Sequence, residues 1–171
     1  SMESAMHDRS RTTLAFLFAA TSVVGCGDDH DHEHEHGEDV FAELCEHLSE
    51  GPSQDVAAAL DASGTLGELA LSHTDMRLLR PVGAPGAATL YAQFTAPQDG
   101  TYVFALSEAA PLTLTSVATG NAVSFETDPE GPADCAAIGV SYRGGVNAGT
   151  YVVAIGPVDA SSVSFLFEIE E

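Results

Sequence analysis

From Glu68 onward the chain repeats one pattern, apolar residues at every second position in short runs separated by Gly, Pro, Asn and Asp, and that pattern leaves few folds open. Leu90, Ala92, Phe94 and Ala96 alternate with Thr89, Tyr91, Gln93 and Thr95, and Tyr102, Phe104 and Leu106 alternate with Thr101, Val103 and Ala105. Leu112 and Leu114, then Val123 and Phe125, then Ile138, Val140 and Tyr142, then Tyr151, Val153 and Ile155 continue it. Val163, Phe165, Phe167 and Ile169 follow, interleaved with Ser162, Ser164 and Glu168. Successive side chains of a strand point to opposite faces, so a period of two describes strands with one face on a core. Turn residues recur roughly every eight to twelve positions with no helix-length crossover between runs, which excludes a βαβ arrangement. The fold expected is mostly β, an antiparallel β-sandwich of about eight short strands.

Ahead of the strands the period changes to that of a helix. In EDVFAELCEHLSEGP, Val40, Phe41, Leu44, Cys45 and Leu48 form one apolar stripe, so a helix should pack on the sandwich. Glu38 and Asp39 suit its positive end and Gly51-Pro52 its stop. The alanine-rich stretch Gln54–Ala62 suggests a second short helix or a turn. Residues 38–63 are thus expected to be helical, and 64–171 to form the β-sandwich.

Two stretches echo each other, Gly100-Thr101-Tyr102-Val103-Phe104-Ala105 and Gly149-Thr150-Tyr151-Val152-Val153-Ala154. Each follows a turn and opens a strand, with the glycine free to take positive φ and the tyrosine packing at the sheet edge. With the closing AGTYVVAIGP and a final amphipathic strand, this grammar resembles the small β-sandwich modules appended to secreted bacterial enzymes, of the pre-peptidase C-terminal type. The likeness covers roughly the last 80 residues and implies only a fold, since the acidic calcium-like pattern of those modules is not evident.

The N-terminal quarter carries an address. Ser1 before Met2 reads as a cloning scar; Arg9 and Arg11 precede an apolar run from Leu14 to Val24, right for the h-region of a secretory signal and too short to span a bilayer. The run ends in Val23-Val24-Gly25-Cys26, which resembles the lipobox of bacterial lipoproteins. That likeness implies a signal peptide over 1–25, acylation of Cys26 and a periplasmic or cell-surface location on a membrane. With Cys26 lipidated, Cys45 and Cys135 remain as a pair that an oxidising compartment would bridge. Such a disulfide closes a loop of about 90 residues and contributes roughly 4 to 5 kcal/mol in the chain-entropy account. Two unbridged thiols, buried or metal-binding, are the other reading.

Residues 26–37 form a tether without an apolar side chain after Cys26, so this segment is expected to be disordered. Within it His30, His32, His34 and His36 alternate with Asp31, Glu33 and Glu35. Imidazole and carboxylate are ligands for zinc, nickel and cupric ions, with cupric ion favoured by the Irving–Williams order. Extended, the four histidines share a face; helical, they pair one turn apart. A solvated acidic spacer is the competing reading. The formal charge of −21 repels nucleic acid and favours cations or basic partners, although a saline habitat selects the same composition. The three cations that follow Cys26, Arg77, Arg80 and Arg143, are expected to pair with local carboxylates.

Catalytic sets are missing: no histidine follows His73, and neither Gly-x-Ser-x-Gly nor His-Glu-x-x-His occurs, so no enzyme is expected. His47 and His73 stand apart from the tether. A Cys45–Cys135 bridge would set His47 near the junction of helix and sheet, and His73 with Asp75 would then complete a second site suited to zinc or cupric ion. The function expected is that of a lipid-anchored exported protein that binds a divalent transition metal, zinc or copper first, through its tether, for buffering or delivery to a metal-transport or envelope protein. The rival is a structural or recognition sandwich that binds protein or glycan, the tether serving only as reach.

Overall fold

A computed structural model describes residues 38–70, 72–84, 86–128 and 135–170. Among these residues one helix, α1 (Glu38–Glu50), is followed by ten strands: β1 (Ser53–Ala57), β2 (Glu68–Leu69), β3 (Asp75–Leu79), β4 (Ala88–Ala96), β5 (Gly100–Leu106), β6 (Leu112–Ser116), β7 (Glu126–Asp128), β8 (Val140–Val146), β9 (Gly149–Val158) and β10 (Ser162–Glu170). They form a six-stranded sheet in the order β1-β3-β10-β5-β8-β7 and a four-stranded sheet in the order β2-β4-β9-β6. The fold is therefore the mostly β, two-sheet architecture with one N-terminal helix that the periodicity implies.

Two details depart from expectation. Both sheets are mixed rather than antiparallel, because β1 pairs with β3, and β2 with β4, in parallel. Parallel neighbours need a long crossover, and here the opposite sheet supplies it: the chain passes from β1 through β2 to β3 and on to β4, changing sheet at each step. The second departure is that the alanine-rich stretch after α1 is no helix. Ser53–Ala57 is a strand, since Val56 and Ala58, two apart, are both buried in the core, and pairing with β3 outweighs the helix preference of alanine.

Inward-facing side chains of the two sheets meet in one cluster centred on Phe94. Its ring lies 4.9 Å from that of Phe167, 5.6 Å from Phe104 and 5.9 Å from Tyr102, each close to edge-on, the arrangement that aromatic quadrupoles favour. Each tyrosine of the two echoing stretches donates its hydroxyl to a carbonyl four residues upstream, Tyr102 to Gln98 at 2.8 Å and Tyr151 to Asn147 at 2.8 Å. The shared sequence grammar thus builds the same corner twice, satisfying a polar atom on a ring that the core covers.

β5 and β10 are covered on both faces. On their outer side Val103, Ala105 and Leu166 join Leu44, Cys135 and Ile138 in a second buried cluster, onto which Val40, Phe41, Cys45 and Leu48 pack. The helix stripe seen in the sequence therefore docks on the back of the six-stranded sheet. The Cys45–Cys135 disulfide, with Cα atoms 5.8 Å apart, fastens that dock.

Candidate metal centre

At one flank of the docked helix, four ligand-bearing side chains converge: Glu43, His47, His73 and Glu168. Three local rules place them. Glu43 and His47 are one turn apart on α1 and so project together. Glu168 is two residues beyond Leu166 on β10, so it faces the helix side of the sheet rather than the core. His73 sits in the turn before β3 with φ of 55°, the sole non-glycine residue with positive φ among those described. That backbone region is costly for a residue with a Cβ and concentrates at functional sites; here it sets the imidazole over Glu168.

The distances are short. His73 Nδ1 lies 3.0 Å from Glu168 Oε1 and 3.1 Å from Glu43 Oε1, and His47 Nε2 lies 3.8 Å from Glu43 Oε1. The two imidazole rings meet edge to face with centroids 5.2 Å apart. One donor atom from each of the four residues lies within 4.8 Å of every other. Burial is graded across the group: Glu168 is 6% exposed, whereas the side chains of Glu43 and His73 are about half exposed.

Glu168 is the telling member. Its Oε1 is buried and has no hydrogen-bond partner; the approach of His73 Nδ1 has the distance of an ion pair without the geometry of a hydrogen bond. Burial pushes the Glu168 carboxyl above the ordinary glutamate value. The His73 imidazole opposes that rise, the Glu43 carboxylate adds to it, and His47 and the His73 backbone N–H oppose it. A buried carboxylate oxygen without a partner is expensive. A divalent cation between Glu168, Glu43 and the two imidazoles would give that oxygen a partner and cancel the repulsion between the carboxylates.

The donor set fits such an ion. Zinc takes imidazole nitrogen and carboxylate oxygen at about 2.0 to 2.2 Å, so tetrahedral ligands lie roughly 3.4 Å from one another. The three shortest contacts, 3.0, 3.1 and 3.8 Å, bracket that spacing. Two nitrogens and two oxygens also suit cupric or nickel ions.

The sequence-derived residues fare differently. His47 and His73 do come together. Asp75, expected to complete their site, does not belong to the group: it lies on β3 with its own unpartnered buried Oδ1, raised above the ordinary aspartate value by burial, lowered by a Ser164 hydrogen bond and Arg77, and raised by Asp55. Because His73 occupies a left-handed turn rather than a strand, the two-residue alternation that would set His73 and Asp75 on one face of a strand does not apply. Glu43 and Glu168 supply the carboxylates instead. Glu43 was legible in principle from its i, i+4 spacing to His47. Glu168 was not, since its alternation marks it as solvent-facing until the helix covers that face.

Arg77 pairs with Asp55 at 2.6 Å and Arg143 with Glu170 at 2.5 Å, while Arg80 donates to the carbonyls of Asp159 and Ala84. Cys26 and the tether residues His30, Asp31, His32, Glu33, His34, Glu35 and His36 lie outside the described residues. No protein-family model matches the chain, and no curated protein matches it either.

Proposed function

We propose that this protein is an exported, lipid-anchored binder of a divalent transition ion, zinc first and cupric ion second, held by Glu43, His47, His73 and Glu168, and that it binds the ion rather than turning over a substrate. The observation that carries the reading is the buried, unpartnered Glu168 oxygen facing two imidazoles and a second carboxylate within 4.8 Å. The lipobox-like Val23-Val24-Gly25-Cys26 supports the anchor, and the Cys45–Cys135 bridge suits the oxidising side of a membrane. In this scheme the acidic histidine run from His30 to His36 raises the local cation concentration and offers weaker, exchangeable sites beside the domain's own. A metal-transport or envelope protein would be the recipient.

The test is calorimetric titration of the metal-stripped full chain with zinc at neutral pH, beside H47A/H73A and beside a variant carrying alanine at His30, His32, His34 and His36. The tether variant should keep one tight equivalent and H47A/H73A should lose it. Full tight binding by H47A/H73A would remove the site from the domain, and no binding by any form would leave a recognition sandwich.

A further inference from the structure

The helix half of the metal centre docks on the sheet through Leu44 and a partly covered apolar stripe, and one covalent link fastens that dock. α1 has 13 residues, a length at which an isolated helix is marginal in water. Leu44 is its one fully buried apolar side chain, with Val40, Phe41 and Leu48 only partly covered. Cys45 falls midway between Glu43 and His47, about 3 Å along the helix axis from each. Its partner Cys135 is buried in the same outer cluster as Leu166, the residue two before Glu168 on β10. The bridge therefore joins the element that carries two ligands to the surface that carries a third, at a height along the helix axis midway between those two ligands though on another side of the helix.

We propose that the oxidation state of Cys45–Cys135 sets the metal affinity of this centre: the bridged form holds the ion tightly, and the dithiol form releases it. The inference rests on the reading that Glu43, His47, His73 and Glu168 bind a divalent ion. Reduction by a dithiol breaks the S–S bond, delivers two electrons and two protons to give the Cys45 and Cys135 thiols, and closes the reductant into its own disulfide. Nothing at the four ligands changes chemically. What changes is the entropy of presenting them, because α1 now samples undocked positions in which Glu43 and His47 face water. By linkage the ion in turn favours the docked helix, so each state stabilises the other.

The experiment uses the full chain with alanine at His30, His32, His34 and His36, so that the tether contributes no ligands. Cobalt(II) is titrated into the bridged protein and into C45S/C135S, with the ligand-field bands of the bound ion as readout. Replacing both thiols by serine removes the sulfur ligands that would otherwise compete for metal. Affinity should fall by about 5- to 150-fold, the usual range for coupling between two sites. Equal affinities in both forms would overturn the proposal while leaving the centre intact. Failure of the bridged protein to bind cobalt would instead remove the centre, and the proposal with it.

Should C45S/C135S lose its β-sheet circular dichroism, the bridged protein decides alone. Its equilibrium in a glutathione redox buffer, read by thiol trapping, should shift at least fivefold toward the bridged form with saturating zinc, because the coupling between ion and bridge is reciprocal. The same equilibrium with and without zinc would overturn the proposal.

Discussion

Glu168→Gln should move stability and metal binding in opposite directions, which a purely structural role for this residue would not do. In the metal-free protein Glu168 is 6% exposed and has one carboxyl oxygen without a hydrogen bond. Leaving a buried acceptor unsatisfied costs about 1 to 3 kcal/mol, and the neighbouring imidazoles relieve part of it. A glutamine amide is isosteric and uncharged, and it can donate to His73 Nδ1, which already lies 3.0 Å from the carboxylate oxygen. The variant should gain about 1 kcal/mol in chelator, some 2 to 4 °C in Tm for a chain of this size. The pH dependence has a definite sign. A carboxyl whose value in the folded state is raised contributes stability that is present below its unfolded value, near 4.5, and lost as pH rises through the raised value. Wild type and variant should therefore melt together in acid and diverge toward neutrality. With zinc at about a hundredfold over Kd, the wild type should gain about 2.7 kcal/mol, and the variant should lose most of that gain because a neutral amide is a poor ligand. Scanning calorimetry in chelator and in zinc, at pH 4 and pH 7.5, reads all four quantities. A Tm below wild type in chelator at pH 7.5 would mean that the Glu168 carboxyl is not strained, and an undiminished zinc shift that it is not a ligand.

Asp75→Asn is the matching control: it should also raise neutral-pH stability, because burial raises the Asp75 carboxyl and Asn can keep a Ser164 hydrogen bond, yet zinc titration should show unchanged binding since Asp75 lies outside the cluster. Leu44→Ala empties the fully buried seat of α1 and should cost about 2 to 5 kcal/mol in urea unfolding. Phe94→Ala removes the ring around which the core aromatics gather and should cost about 3 to 5 kcal/mol in the same assay, with unfolding remaining cooperative. Gly144→Ala would bring a Cβ to 2.7 Å from the Ser124 carbonyl and 2.9 Å from the Phe125 ring; a loss of about 1 to 3 kcal/mol follows, readable as a lowered Tm.

How far the sequence carried the fold depends on which face of each strand is considered. Inner faces were legible because Phe94, Tyr102, Phe104, Val153, Phe165 and Phe167 keep a strict period of two, and a strand half-buried on one core has no other way to show it. Outer faces were not. Val103 and Ala105 took the place of polar residues in the alternation and were in fact the seat of α1, and Glu168 read as solvated until that helix covered it. β1 was hidden for another reason: Gln54–Ala62 is rich in alanine, and only the edge of β3, far along the chain, makes it a strand. For the centre, histidine chemistry singled out His47 and His73, and the cysteine pair suggested why they should be near each other. The choice of carboxylates depended on a left-handed turn at His73 that no propensity announces.

The position of β10 has a consequence for how the molecule comes into being. Latest of the described strands in chain order, it lies between β3 and β5 in the middle of the larger sheet. While the chain emerges vectorially from a ribosome or a translocation pore, β1, β3, β5 and β8 are present before the strand that unites them, and loop-closure entropy must be met before those distant pairings reward it. Leu166, part of the seat of α1, and Glu168, the buried ligand, arrive with that strand. The oldest and youngest segments of the described chain therefore meet at the metal centre, which can assemble only when the fold is complete.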